Sequence, residues 1–301
     1  DADNYNRFKL KIIFTKKYRV MKKNYDFYKD NFIDRNHFFC ISHFNGDIEW
    51  VSQIYKNNYI VYNKSGKKLP KEINHVNIRN LGYNLYSYLK FIIDNYNDLP
   101  ESIVFCKDNI FRRHIEFDLF KNLLKRNTFT SIEENSNKNE FPIVLKTSDC
   151  GFTEINSSWY RNKYPRLFFK DFNYFYQYIF KNVEKPLFLR FAPGANYIVP
   201  KNNILLRSKN FYKNLLTFIS HSQYSCESHF LERCLFVIWN SNLETSYKMD
   251  EVIDNSEIEY LKTKCLKLIE KENIFFVKIF QKITFFIGKL YLKLLLKNSI
   301  T

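Results

Sequence analysis

Glycine is scarce in this chain, with six in 301 residues, and methionine scarcer, with two. No GxGxxG, Walker-type phosphate loop, GxSxG elbow or HExxH pair occurs, which removes the common dinucleotide, P-loop, serine-hydrolase and zincin signatures. The six cysteines (Cys40, Cys106, Cys150, Cys226, Cys234 and Cys265) form no CxxC pair and no zinc-finger spacing with histidine. Scattered in this way they read as reduced core thiols, hence a cytosolic compartment. No charge-free run reaches the roughly 18 residues that a membrane-spanning helix needs. The visible start carries no signal-peptide pattern, and no internal repeat is present.

What is present is apolar and basic. Hydrophobic residues make up 45% and aromatics 19%, with 31 Phe and 22 Tyr, enough to fill the core of one large domain or two small ones. The abundance of Asn, Lys, Ile and Phe has the look of an AT-rich genome, so a single Lys or Asn carries little meaning. Lys and Arg number 47 against 31 Asp and Glu, a formal charge of +16. Such a field attracts nucleic acid, acidic lipid or nucleotide phosphates. The charge is spread over the first 250 residues rather than gathered in a block. It therefore describes a generally basic surface, and nucleic acid is not expected as a partner.

Residues 1–36 read as a charged, aromatic lead-in. The apolar run 37–43 (HFFCISH) suits a buried strand ending in the loop Phe44-Asn45-Gly46-Asp47, with a helix expected over 48–57. Further strands are expected at 58–62, 73–78 and 102–106. A periodic helix spans 83–99 with Leu85, Tyr88, Leu89 and Ile92 on one face, closed by Pro100. Strands alternating with helices imply a mostly parallel sheet covered on both faces. Ligands of such sheets bind beyond the carboxyl ends of the strands, here residues 42–47, 62–66 and 106–109. Downstream, 131–140 reads as an exposed linker, and 141–152 as a strand entering a loop around Asp149 and Cys150. Two strand-like runs in 186–200 are split by Pro193-Gly194. Helices are expected over 203–220 and from Ser225 onward. The main α/β unit is placed at 37–250 and a basic helical tail at 251–301. Within that tail Lys278, Lys282, Lys289, Lys293 and Lys297 are spaced by four and seven, which holds them on one strip at about 100° per residue. Phe, Ile and Leu make up most of the rest of 274–297, the pattern of a helix lying in an anionic membrane surface. Each lysine would add about 1 kcal/mol of attraction. A terminal helix packed on the domain's own core, or a dimer helix, is the alternative.

Three constellations could carry chemistry. Ser42-His43-Phe44-Asn45-Gly46-Asp47 is a polar loop after a strand, in which His43 could meet a phosphate or base. Asn80-Leu81-Gly82 opens a helix whose free N–H groups could face phosphate, and Lys107-Asp108-Asn109 follows the next strand, where Asp108 could hold a metal bridging a diphosphate. Cys226 to Arg233 gathers Glu227, His229, Glu232 and Arg233 near a helix start, where Glu227 or Glu232 could act as a general base. Each also has an ordinary reading: a turn, a helix cap, and capping charges with a surface pair.

The order and spacing of Ser42, Phe44, Asn45, Asp47 and Trp50, then Tyr62-Asn63-Lys64, then Asn80, Gly82, Ser87-Tyr88-Leu89, Asp94-Asn95-Tyr96 and Leu99-Pro100, and finally Gly194-Ala195 and Glu232-Arg233, resemble a widespread family of uncharacterised bacterial and fungal glycosyltransferase-like proteins. The layout is also similar to nucleotide-diphospho-sugar transferases of the GT-A fold. The likeness spans about residues 37–245 and is most specific from Asn80 to Pro100. It departs from the family in having one Asp after the fourth strand rather than two, and Tyr83-Asn84 where Arg-Glu is usual. The resemblance implies a GT-A-like, Rossmann-like α/β fold and a nucleotide-sugar donor over the strand ends. Ser42, His43, Asn45, Asp47, Asn63, Lys64, Asn80 and Gly82 would lie around the donor, and Lys107 and Asp108 would meet the diphosphate with Mn²⁺ or Mg²⁺ on Asp108. Gly194, Ala195 and Asn196 would border the acceptor, with Glu227 or Glu232, beside His229, as the base. The implied partners are a cell-surface polysaccharide or lipid-linked glycan and, through residues 274–301, the inner face of the cytoplasmic membrane.

Overall fold

The computed structural model describes residues 34–134, 143–147, 151–272 and 286. Most of the lead-in, the loop around Asp149 and Cys150, and the lysine-striped segment 274–301 apart from position 286 lie outside the described residues. In chain order the elements are β1 (Phe38–His43), β2 (Tyr59–Asn63), β3 (His75–Asn77), α1 (Leu85–Asp94), β4 (Ser102–Lys107), α2 (Ile110–Arg113), α3 (Phe117–Leu123), β5 (Thr130–Ser131), β6 (Ile143–Thr147), β7 (Gly151–Ile155), α4 (Phe172–Ile179), β8 (Phe188–Phe191), β9 (Tyr197–Pro200), α5 (Lys201–Ile204), α6 (Lys209–Ile219), α7 (Cys226–Asn240) and α8 (Asn255–Glu272).

The central sheet runs β3-β2-β1-β4-β9-β5. Its first four strands are parallel, and β9 is antiparallel to β4 and β5. Helices flank it, so the protein is a mixed α/β fold with a mainly parallel sheet. β1, β2, β4 and β9 are buried on both faces, while the edge strand β3 is largely exposed, and the period-2 alternation of the inner strands divides the core in two. Cys40, Ile103, Phe105, Tyr197 and Val199 point into the larger cluster with α1, α6 and α7. Phe39, Ile41, Val104, Cys106 and Ile198 point the other way, against Trp50 and Phe120. After β1 the chain steps outward to β2 and β3, then returns over the sheet through α1 to place β4 on the other side of β1. The gap between the ends of β1 and β4 is therefore the point where strand order reverses.

Several elements differ from expectation. The helix expected over 48–57 is a short 3-10 turn, Glu49–Gln53, because the Trp50 indole N–H is held by the carbonyls of Asp47 (3.1 Å) and Asp108 (2.9 Å). The helix expected over 203–220 is two, α5 and α6. Between them Arg207 turns inward to the carbonyls of Ile238, Leu243 and Ser241, and Ser208 caps α6 by accepting from Phe211 N at 3.1 Å. The strands of 143–155 and 188–191 leave the main sheet altogether and form a separate antiparallel sheet, β6-β7-β8. α8, assigned by sequence to the tail, buries Leu261 and Cys265. Five described cysteines are buried.

α7 starts where its sequence says, with Ser225 Oγ accepting from Ser228 N at 3.1 Å. It is buried on almost every side, the mark of a central helix. Three of its charged residues, Glu227, Glu232 and Arg233, are buried too. Arg233 forms a bidentate pair with Glu154 of β7 and donates to Glu232 Oε2 at 3.1 Å. Its guanidinium lies 4.2 Å from the Tyr160 ring centre and 4.7 Å from that of Phe191. This triad fastens the small sheet to α7 and fixes the rotamer of Glu232.

Candidate functional site

A cavity of about 260 Å³ opens at the switch point. Ser42, Phe44, Asn45 and Gly46 reach it from the end of β1, Lys64 from β2, and Lys107, Asp108 and Asn109 from β4; Asn80, Tyr83, Asn84, Arg113 and Tyr224 complete the wall. All three strand ends named from the sequence meet here.

Asp108 organises the floor. Its Oδ2 accepts from Phe44 N (2.9 Å) and Gly46 N (2.7 Å) and lies 2.9 Å from His43 Nδ1, while Oδ1 accepts from Asn109 N at 2.8 Å. Burial pushes the carboxyl pKa up, but the His43 ring and the two loop N–H groups outweigh it and hold the value below the ordinary one. A Cβ on Gly46 would lie 2.4 Å from Asp108 Cγ, so only glycine lets the loop close on the carboxylate. Asp47 turns away and caps the 3-10 turn through Glu49 N (2.9 Å).

The cations come next. Lys64 is buried and donates to the carbonyls of Leu81 (2.5 Å) and Tyr83; burial lowers its pKa to about 7. Lys107 donates to the Tyr83 hydroxyl at 2.6 Å and sits 4.7 Å from that ring's centre. Burial first, then Arg113, lower its pKa to about 8 against the opposing pull of Glu232, Asp108 and Glu133. Arg113 is exposed at the rim. The segment joining them is bent sharply: Gly82 and Tyr83 both take left-handed backbone (φ 57° and 53°), and their N–H groups bond Ser222 and Gln223 carbonyls. A Cβ at Gly82 would meet Ile219 at 2.8 Å. Asn84 contributes to the wall with its side chain buried.

Other sequence-named residues are placed behind the cavity or apart from it. Asn63 shapes its turn, bonding Lys67 O and Asn77 Oδ1 at 2.8 Å each. Gly194, Ala195 and Asn196, expected at the acceptor, are buried and hold the wall in place. Gly194 O accepts from Asn84 Nδ2 (2.7 Å), Gly194 N donates to Glu232 Oε1 (2.7 Å), and Asn196 Oδ1 accepts from Lys107 N (3.2 Å). Glu227, expected as a candidate base, lies apart from the cavity lining. It is fully buried, accepts from Leu167 N and Phe168 N at 2.8 Å each, and pairs with His221 at 2.9 Å; it clamps a loop and has no opening to a substrate. Glu232 lies nearer the site, where its charge acts on Lys107 and Tyr83. His229 Nδ1 is 3.9 Å from Glu232 Oε2, and its ring stacks on Tyr164 with centres 4.3 Å apart. Burial lowers the His229 pKa to about 4, so the ring is neutral at neutral pH.

Sequence reasoning did not place Arg113, Asn84, Tyr83 or Tyr224 in the site, nor the buried His114–Glu133 pair behind Gly194. Arg113 stands five residues beyond Asp108, which was a usable signal. Tyr224 arrives from a distant loop and carried none.

The arrangement suits a polar anion: two buried lysines and an arginine face an opening at the carboxyl ends of parallel strands. The described fold and site thus define a mixed α/β protein with a lysine- and arginine-lined cavity at its topological switch point. Residues 41–255 match the family described as "Protein of unknown function (DUF3431)", and the chain belongs to that family. No curated protein and no solved structure matches it.

Proposed function

We propose that the protein is a glycosyltransferase of GT-A-like architecture that moves a sugar from a nucleotide-sugar donor to a cell-surface polysaccharide or lipid-linked glycan acceptor. One observation carries the reading: Lys64, Lys107 and Arg113 converge on a cavity at the switch point, where α/β folds bind ligands. The donor diphosphate lies against these cations. Phe44 and Tyr224, 37% and 40% exposed, offer ring faces at the mouth.

Glu232 is the base in this account. Gly194 N and Arg233 hold its two oxygens, and it removes the proton from the acceptor hydroxyl as that oxygen bonds to the anomeric carbon and the glycosyl–phosphate bond breaks, the nucleoside diphosphate leaving with its electron pair against Lys64, Lys107 and Arg113. Neutral His229 lies beside it, with Nδ1 3.9 Å from Oε2.

The residues present do not fit a divalent ion. Both oxygens of Asp108 are engaged by loop N–H groups, its neighbours along the cavity are cations, and among the described residues no group of three or more His, Cys, Asp or Glu could hold a metal.

Among the described residues no helix is long and apolar enough to cross a membrane. The basic strip of 274–301 supports peripheral attachment near a lipid-linked acceptor. A second reading, a phosphate-ligand-binding module without turnover, draws on one feature: the carboxylate that lines the cavity, Asp108, is committed to its loop. Nucleotide release from sugar donors in the presence of surface-glycan acceptors separates the two. Turnover lost in Glu232→Gln with donor binding retained supports the transferase. Full turnover in Glu232→Gln removes Glu232 as base, and binding without any turnover favours the module.

A further inference from the structure

The charged groups lining the cavity are Lys64, Lys107, Arg113 and Asp108. Three cations less one carboxylate leave two positive charges when both lysines are protonated, the complement of the two negative charges on a nucleotide-sugar diphosphate. The ammonium donors are also distributed to suit such a ligand. Lys64 spends two of its three N–H groups on the Leu81 and Tyr83 carbonyls, and Lys107 spends one on Tyr83 Oη. One N–H of Lys64, two of Lys107 and the guanidinium of Arg113 remain for phosphate oxygens. The carboxylate that a metal would need is turned to the loop instead, its oxygens receiving the N–H groups of Phe44, Gly46 and Asn109. Capturing it for a metal would break these bonds in a loop that has no slack, because the Gly46 backbone already lies against the carboxylate.

We infer that this cavity seats a diphosphate without a divalent cation, with Lys64, Lys107 and Arg113 in the place a metal would take. The inference rests on the nucleotide-sugar reading of the cavity and specifies how that ligand's charge is met. Lys64 and Lys107 are fixed by the 81–83 backbone and the Tyr83 ring, so the charges are positioned before the ligand arrives. Arg113 is exposed and supplies a fork for two phosphate oxygens at the rim.

The test is calorimetric titration of the full chain with UDP and, separately, with inorganic pyrophosphate, once in EDTA and once with Mn²⁺ or Mg²⁺. Binding in EDTA with a Kd within about threefold of the metal-containing value is expected. Lys107→Met and Arg113→Ala should each weaken binding about tenfold or more, the scale of a hydrogen bond to a charged group. Arg113→Ala removes an exposed side chain, so its result does not depend on a rearranged core. Binding that requires the metal overturns the inference while leaving the transferase reading intact. Absence of binding by either ligand under both conditions overturns the transferase reading and this inference with it. Unchanged affinity in both variants overturns the role of the cations.

Discussion

Asp108→Asn separates the two roles this residue could have. In the structure its carboxylate is a loop clamp with 7% of its side chain exposed, accepting from Phe44 N, Gly46 N and Asn109 N and lying beside His43. An asparagine keeps one acceptor oxygen, which can serve Asn109 N or the loop but not both, and its NH₂ would face donors. Two backbone N–H groups then lose an ionised acceptor, at about 1.5–3 kcal/mol each. Part of this is recovered as the loop relaxes into solvent, since Phe44 is already 37% exposed, leaving a net cost of about 2–4 kcal/mol. For a domain of this size that lowers the Tm by about 4–16 °C. The measurement is thermal unfolding of wild type and variant by calorimetry at neutral pH. The same clamp predicts an acid signature. The folded carboxyl pKa lies below its ordinary value, so its stabilisation is present above about pH 4 and is lost as the pH falls through the folded pKa. Asp108→Asn should remove that part of the acid dependence. A variant as stable as wild type that no longer responds to Mn²⁺ would refute the reasoning and return Asp108 to the role of metal ligand.

Further predictions follow from the same geometry. Gly46→Ala should destabilise by about 1–3 kcal/mol, because its Cβ would meet Asp108 Cγ at 2.4 Å; a Tm equal to wild type would show that the loop has slack. Glu227→Gln should lower the Tm while leaving donor affinity unchanged, as its carboxylate serves Leu167 N, Phe168 N and His221 rather than the cavity; lost donor binding in a folded variant would contradict this. UDP-glucose, whose diphosphate charge is constant over the range, should bind best below neutrality and weaken as the pH rises through about 7 to 8, where Lys64 and Lys107 lose their protons; a flat profile by calorimetry would count against both lysines. Liposome flotation on anionic vesicles should fall when residues 274–301 are deleted, and equal flotation of both forms would rule out the basic strip as an anchor.

The strand ends were legible because parallel strands buried on both faces leave short apolar runs closed by polar residues. Phe38–His43, Tyr59–Asn63 and Ser102–Lys107 could be placed within a residue or two, and with them Ser42, Asn45, Lys64, Lys107 and Asp108. What single residues did there was not legible. Asp108 looks like a metal ligand in a linear string because the backbone N–H groups that take its oxygens belong to a loop more than sixty residues upstream. Glu227 and Glu232 are five apart on one helix, yet one is buried under the 167–169 segment and the other is held by Gly194 and Arg233. Local pattern cannot tell them apart. The small sheet was missed because short strands of both sheets look alike until pairing partners are known. The helix expected over 48–57 failed because tertiary bonds to the Trp50 indole overrode its periodicity.

The central claim is that the switch-point cavity receives a nucleotide-sugar diphosphate. The most direct test is a thermal-shift screen of wild type and Lys107→Met against UDP-, GDP-, CMP- and dTDP-sugars, since a ligand that binds only the folded state must raise the Tm. The account predicts a shift with at least one donor in wild type, reduced or lost in Lys107→Met. No shift with any donor, or an equal shift in both proteins, would contradict it.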